Sequence, residues 1–251
     1  MRIVSLVPSI TETLFELGLD DEIVGITTFC QHPKNKVATK IKVGGTKNPD
    51  RQKILDLHPD VILLNEEENR KEDADFFRSQ GIPLKVSFPS TVVEAAELVK
   101  QLGDDFGASE KGEALHDAII NASESTGRNH NWKTLILIWK RPYWTVNATT
   151  YVHSICKTVG LENVFAQSKD RYPLLTDADI VEADPELVLF PDEPYVFREK
   201  DVSDFKEQFP KLKAVTANRL LKLNGSYLTW HGVRTLKALH QLPLLLREFR
   251  Q

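Results

Sequence analysis

The two halves of the chain repeat one local pattern, and this repeat limits the possible folds more than any other feature. The pattern is an isoleucine, a proline five residues later, an acidic residue and an apolar run: Ile54-Leu-Asp-Leu-His-Pro-Asp-Val-Ile-Leu63 and Ile180-Val-Glu-Ala-Asp-Pro-Glu-Leu-Val-Leu189. It is typical of a helix that ends at a proline turn and continues into a buried strand. Its recurrence predicts an α/β fold with two lobes, each a three-layer sandwich around a mostly parallel sheet.

The chain opens with a strand, a tight turn and a helix. Residues 3–7 are almost all apolar, as expected for a strand that is buried on both faces. Pro8 should end this strand, and Ser9 with Glu12 has the S-x-x-E spacing of a capping box at the start of a helix that stops at Gly18. Because unpaired backbone N–H groups collect at the carboxyl end of such a strand, we expect ligands to bind there.

A stretch of different character separates the two halves. Apolar residues recur at helical spacing after Ser109, which predicts a helix of about 18 residues, ~27 Å long. We therefore expect an N-terminal lobe at 1–105, a connecting backbone helix at 106–130 and a C-terminal lobe at 131–251.

Composition excludes several classes of protein. The 251 residues are 41% hydrophobic and 27% charged, with a formal net charge of −4 and no basic stripe, so nucleic-acid binding is not expected. No apolar run approaches the ~20 residues of a membrane helix, and Cys30 and Cys156 are too few and too far apart for a disulfide framework. Since the sequence shows no signal peptide, we expect the protein to be cytoplasmic if Met1 is the native start, and periplasmic or at the cell surface if a leader was trimmed. We also expect a monomer.

The loops after the predicted strands carry the residues from which a ligand site would be built, and they line a cleft if the two lobes face each other. In the second half these loops hold three of the five tyrosines and two of the four tryptophans. Flat apolar faces beside cations suit a large, partly planar ligand that carries carboxylate, amide or phosphate groups. The candidate ligand-binding residues are Ser9, Phe29, His32, Thr46, Lys47, Lys140, Arg141, Tyr143, Trp144, Tyr172, Tyr195, Trp230 and His231.

Three of the loop residues also suggest a metal. Neutral imidazole binds iron, cobalt and zinc, so His32 or His231 would approach the metal of an organic chelate, or would form a bare site together with Cys30. A bare site would make the protein a metal-dependent hydrolase with stoichiometric zinc. However, the sequence contains no nucleophile elbow, phosphate loop or dinucleotide fingerprint, and we expect neither enzymatic activity nor an intrinsic cofactor.

Several stretches follow one another in a familiar order: R-I-V-S-L-V-P-S-I-T-E-T-L-F-E-L-G-L, E-I-V-G-I-T, V-G-G-T-K-N-P-D, I-L-D-L-H-P-D-V-I-L, G-L-E-N-V-F-A and I-V-E-A-D-P-E-L-V-L. Together they resemble the helical-backbone metal receptor superfamily, the substrate-binding proteins of ABC importers for cobalamin, ferric siderophores and haem. The strongest similarity is to the cobalamin-binding branch, and it covers essentially the whole chain. It implies two α/β lobes joined by one long rigid helix, with the ligand held between them and little hinge closure.

The resemblance also implies roles for particular residues. His32 falls where the cobalamin receptors have an aromatic ligand contact. Thr46 falls near a tryptophan contact, so Trp144 and Trp230 would have to supply the stacking surface here.

In this family acidic residues at the lobe tips dock onto arginines of the importer; the resemblance implies Glu66 and Glu67 for the first lobe and Glu193, or alternatively Glu199, for the second. The resemblance implies cobalamin or another corrinoid as the first expected ligand, and a ferric siderophore or haem as the second. A cytoplasmic carrier or sensor of the same chelates, without a transporter partner, is a further alternative.

Overall fold

The computed structural model describes residues 1–126 and 131–249. The strands are β1 Ile3–Ser5, β2 Ile23–Ile26, β3 Ile41–Lys42, β4 Val61–Asn65, β5 Leu84–Ser87, β6 Trp132–Ile136, β7 Tyr143–Trp144, β8 Leu161–Asn163, β9 Leu174–Leu175, β10 Leu187–Pro191 and β11 Leu220–Leu223. The helices are α1 Pro8–Leu17, α2 Lys34–Val37, α3 Arg51–Asp56, α4 Lys71–Ser79, α5 Val92–Asp105, α6 Ser109–Ser125, α7 Tyr151–Thr158, α8 Asp177–Ala183, α9 Glu199–Gln208, α10 Lys213–Thr216, α11 Ser226–Thr229 and α12 Arg234–Arg247. Among these helices, none is long and apolar enough to cross a membrane.

The chain divides into two compact units. Unit 1 consists of Met1–Pro89, Val93–Ala118 and His231–Arg234, and unit 2 of Ser90–Val92, Ile119–Trp230 and Thr235–Gln251. The predicted helix after Ser109 is present as α6. The predicted lobe boundaries remain a prediction, and residues 127–130 of the predicted connecting segment lie outside the described residues.

Unit 1 is built on a parallel sheet with the strand order β3-β2-β1-β4-β5. The opening apolar run is fully buried, as its composition predicts. Ile3 and Val7 belong to one hydrophobic cluster, whereas Val4 and Leu6 belong to another. Because side chains alternate across a strand, these clusters lie on opposite faces of the sheet, which gives the predicted three layers.

Unit 2 has the same plan. Its main sheet is parallel with the order β8-β6-β10-β11, so β6 and β10 occupy the places of β1 and β4. The repeated sequence pattern forms α3 and β4 in one unit and α8 and β10 in the other. The residue before each proline, His58 or Asp184, takes a positive φ of 45° or 39°. The predicted two-lobed α/β fold is confirmed down to the turn that ends each helix.

The strand order reverses beside the first strand of each sheet. From β1 the chain builds β2 and β3 on one side and then β4 and β5 on the other, and from β6 it builds β8 on one side and then β10 and β11 on the other. In parallel α/β sheets the loops at such a switch point separate and leave a crevice at the carboxyl ends of the strands. The switch points therefore lie after β1 and β4 in unit 1 and after β6 and β10 in unit 2.

The predicted capping box at the start of α1 is wrong. The N-cap is Val7, whose side chain has no hydrogen-bonding group, and Pro8 occupies the first turn. Proline is favoured at this position because its missing N–H would have no partner in the helix. The prediction placed the helix start too late, so Ser9 and Glu12 lie inside the helix and have other partners.

Candidate ligand-binding site

Two buried asparagines hold the strand-end loops of unit 1 together. Asn69 donates from Nδ2 to the carbonyls of Leu6, at 3.1 Å, and of Thr46, at 3.0 Å, and its Oδ1 accepts the Asn65 N–H at 2.8 Å. The Asn65 carboxamide oxygen accepts the N–H of Glu67 at 2.9 Å. Buried hydrogen bonds of this kind fix geometry because breaking one leaves a polar group without a partner. The loops after β1, β3 and β4 are thereby held in one arrangement.

Phe29 is an exposed aromatic residue at this end of the unit 1 sheet. It follows β2, and 54% of its surface is accessible. Its ring lies against Gly45, where a Cβ atom would come within 3.2 Å of the phenylalanine Cε2. Lys47 lies nearby in sequence and donates from Nζ to the carbonyl of Glu67 at 2.5 Å. His32 is half-buried in the loop after Phe29.

Ser9 and His231 come together although 222 residues separate them. The Ser9 Oγ atom lies 3.5 Å from Nε2 of His231, and both residues are buried. Burial lowers the pKa of His231 to about 4, against an opposing influence from the Glu67 carboxylate. The imidazole is therefore neutral at pH 7 and presents one donor and one acceptor nitrogen.

The residues after His231 fasten this segment to α1. The Val233 N–H donates to Thr13 Oγ1 at 3.2 Å. The Arg234 guanidinium, 2% exposed, pairs with the Glu12 carboxylate through contacts of 2.8 and 2.7 Å. Two parallel contacts between a guanidinium and a carboxylate are geometrically specific as well as strong. Sequence reasoning missed this pair, since no local pattern connects positions so far apart.

The predicted metal centre is not assembled. Cys30 is buried and its Sγ lies 3.2 Å from Thr11 Oγ1 and 3.3 Å from Thr27 Oγ1. Burial raises the pKa of its thiol, which opposes the thiolate form that binds metals. Within residues 1–126 and 131–249, no group of three or more His, Cys, Asp and Glu side chains is placed to hold a metal ion. The proposed set of Cys30, His32 and His231 is therefore corrected: the first is a core residue and the third is held beside Ser9.

In unit 2 the switch point carries an aromatic pair that was only half anticipated. Trp139, just past β6, exposes 46% of its surface, and its ring centroid lies 5.4 Å from that of Tyr195, which follows β10. Tyr195 is among the candidates from the sequence, and Trp139 is not. The signal that was available is the change from aliphatic residues to tryptophan at the last position of the apolar run.

Lys140 does not have the predicted role of meeting an anionic ligand. Its ammonium is buried and lies 2.9 Å from the Asp201 carboxylate and 2.8 Å from that of Asp204, both on α9. The pKa of Asp204 is lowered to about 2, first by its hydrogen bond to Lys140 and then by its bond to Lys200. Arg141, by contrast, keeps an exposed side chain, 3.7 Å from Asp204.

Tyr143 is also corrected, because it belongs to the core. It is buried, and its ring packs edge-on against Phe205 at 5.7 Å, with Phe209 at 6.3 Å. Burial raises the pKa of its hydroxyl. Trp144, the next residue of β7, points to the opposite face because side chains alternate along a strand. Trp144, Tyr172 and Trp230 are half-buried and remain candidate contacts.

The predicted docking residues differ in exposure. Glu66 and Glu67 are exposed in the loop after β4. Glu193, after β10, is half-buried and its carboxylate accepts a hydrogen bond from Thr229 Oγ1 at 2.9 Å. The first two are therefore better placed than the third to meet a macromolecular partner.

Two parallel-sheet units, each with an exposed aromatic residue at its strand ends, define a ligand-binding protein of the α/β class. A sequence model described as periplasmic binding protein matches residues 3–223, and the chain belongs to this family. Membership places it among binding proteins rather than enzymes, in agreement with the sequence prediction.

Similar proteins carry more specific names. The chain is 22% identical to a vitamin B12-binding protein of Vibrio parahaemolyticus, over 95% of this chain and 86% of that protein. The periplasmic heme-binding protein RhuT of Roseiflexus sp. RS-1 superposes with a TM-score of 0.85 at 21% identity, covering 100% of this chain and 99% of the other. The periplasmic vitamin B12-binding protein BtuF of Vibrio cholerae superposes with a TM-score of 0.84 at 20% identity, covering 100% and 98%. At these identities the structural matches establish the shared fold.

Proposed function

We propose that the protein is the substrate-binding component of an ABC-type importer for a metal-chelate nutrient, with cobalamin or another corrinoid as the first candidate. The observation that carries this proposal is the exposure of Phe29 and Trp139 at the carboxyl ends of their sheets. Large aromatic side chains left in water at a switch point are typical of a surface that buries a partly apolar ligand. The named relatives support the choice of ligand class, since they are said to bind vitamin B12 or heme.

Binding without turnover fits the chemistry of the strand-end loops. Lys47 is exposed in the loop after β3, and its ammonium suits the phosphate of a corrinoid, while the half-buried Thr46 supplies a hydroxyl that suits the amides. His231 is neutral and buried, so it contributes hydrogen bonding rather than charge. Haem and ferric siderophores are the alternative ligands, and the heme-binding structural neighbour favours haem between these two.

Isothermal titration calorimetry tests the ligand. Purified protein is titrated with cyanocobalamin, hemin and a ferric hydroxamate siderophore at pH 7. One-to-one binding of cyanocobalamin with a Kd below roughly 1 μM, about −8 kcal/mol, is the expected result. Preference for hemin would support the family role and reject the corrinoid. Binding of none of the three would overturn the proposal.

We further propose that Glu66 and Glu67 contact the importer. Both carboxylates are exposed on the loop after β4, and charged groups at a rim change association rates more than they change folding. Double charge reversal, Glu66→Lys with Glu67→Lys, should lower uptake of the chelate by cells that carry the importer by more than any change in calorimetric ligand affinity accounts for. Equal uptake by the variant and the natural protein would refute this docking role.

Such a role places the protein on the outer side of the membrane, and fractionation of cells that express the gene tests this location.

A further inference from the structure

Trp139 is held rigidly although it is exposed. The Ile138 N–H donates to the Trp144 carbonyl at 2.9 Å, and the Trp144 N–H donates to the Trp139 carbonyl at 3.2 Å, so the backbone is clamped on both sides of the turn. A rigid aromatic residue loses little conformational entropy when a ligand covers it. The indole is therefore preorganised for contact.

The side chain of Trp139 is supported from one side. Tyr195 meets it at an interplanar angle of 66°, and Tyr195 in turn packs at 4.7 Å against Phe197, which is buried. This edge-on contact fixes the indole without covering its whole surface, since 46% of the residue remains accessible. Nearly half of the Trp139 surface is therefore available for contact with a ligand.

The chemistry of the proposed ligand decides which group can stack there. In cobalamin the two faces of the corrin carry the axial ligands of cobalt, and its rim carries amide side chains. The planar aromatic group is the benzimidazole base of the nucleotide loop. An indole stacks well on such a bicyclic base because both are flat and of similar size.

We propose that Trp139, supported by Tyr195, is the stacking surface for the benzimidazole base of a corrinoid. This inference rests on the proposed function, because it specifies which part of that ligand unit 2 recognises. It makes Trp139 a residue that distinguishes complete cobalamins from corrinoids that lack the nucleotide loop.

A second tryptophan offers a control. Trp132 is at the amino end of β6, where its ring contacts Phe249 at 6.4 Å and the Arg219 guanidinium at 4.9 Å. Replacing Trp132 removes one tryptophan, as replacing Trp139 does, but it leaves the carboxyl end of β6 intact.

The test compares two corrinoids by calorimetry. Cyanocobalamin contains the benzimidazole nucleotide, and dicyanocobinamide lacks it. Trp139→Ala should weaken cyanocobalamin binding by about five- to a hundred-fold, the range for loss of one base–aromatic stack, while changing cobinamide binding by less than about two-fold. Trp139→Phe should retain most of the affinity, and Trp132→Phe should change neither ligand.

The outcomes separate the inference from the function on which it rests. If the natural protein binds neither corrinoid, the proposed function fails and this inference fails with it. If the natural protein binds cyanocobalamin and Trp139→Ala weakens both corrinoids equally, or weakens neither, the function stands and the stacking role is overturned. Circular dichroism of each variant establishes that folding is unchanged.

Discussion

His231 should make the stability of the protein fall between pH 6.5 and pH 4. An unfolded histidine has a pKa near 6.5, whereas burial holds the pKa of His231 at about 4 in the folded protein. Between these values the unfolded chain binds the proton and the folded chain does not, so acidification favours unfolding. A difference of about 2.5 pH units, at ~1.36 kcal/mol per unit, corresponds to roughly 3 kcal/mol lost by pH 4.

Urea denaturation at fixed ionic strength and at pH 7, 6, 5 and 4 measures this loss. His231→Gln keeps a polar side chain near Ser9 but cannot titrate, so its free energy of unfolding should lack the His231 contribution in this window. The matched control is His240→Gln, because His240 is exposed on α12. The comparison of the two variants separates the loss of the buried imidazole from the general effect of a histidine-to-glutamine change.

If the natural protein and His231→Gln lose the same free energy of unfolding between pH 6.5 and pH 4, then His231 is not a buried neutral imidazole. A ligand that contacts His231 should also bind less tightly as the pH approaches 4, with the difference absent in the glutamine variant.

Three further predictions follow from the buried polar contacts. Glu12→Gln removes the carboxylate that pairs with the buried Arg234 guanidinium and should lower the free energy of unfolding by about 3 kcal/mol. The effect should be smaller in an Arg234→Met background. Urea denaturation of the natural protein, the two single variants and the double variant measures the coupling between the two residues. Lys140→Met should raise the pKa of Asp204 from about 2. In the natural protein this carboxylate loses its stabilising effect as the pH falls from about 4 to 2. Acid unfolding of the variant should therefore begin at a higher pH than that of the natural protein. Asn69→Asp removes two amide donors and should lower the free energy of unfolding by about 2 kcal/mol in a thermal melt at pH 7, and an unchanged melting temperature would show that the strand-end loops do not depend on them.

Local patterns predicted the fold because the fold is built from repeated local units. The Ile-to-Leu stretch in each half carries the end of a helix, a proline turn and a buried strand, and the structure forms these elements at both places. The complete burial of residues 3–7 likewise follows from their apolar character and their central place in the sheet. Information of this kind lies within a dozen residues and needs no partner from elsewhere in the chain.

The roles of individual site residues were harder to predict because distant partners decide them. Lys140 follows a strand, as expected, but its charge is taken up by Asp201 and Asp204, which lie 61 and 64 residues later. Glu12 has the spacing of a capping residue, but its carboxylate pairs with Arg234, which lies 222 positions away. Sequence spacing identifies which end of the sheet a residue occupies, whereas tertiary packing decides whether its side chain remains available to a ligand.

Hydrogen exchange with and without cyanocobalamin tests the central claim, which is that the exposed aromatic ends of the two sheets are the ligand-binding surfaces. Amide protection is followed by mass spectrometry on the natural protein at pH 7. We expect cyanocobalamin to slow exchange in the loops at 27–32, 44–47 and 65–69 and in the segments at 138–145 and 192–197. Protection confined to other segments, or no protection at a saturating concentration of the ligand, would contradict it.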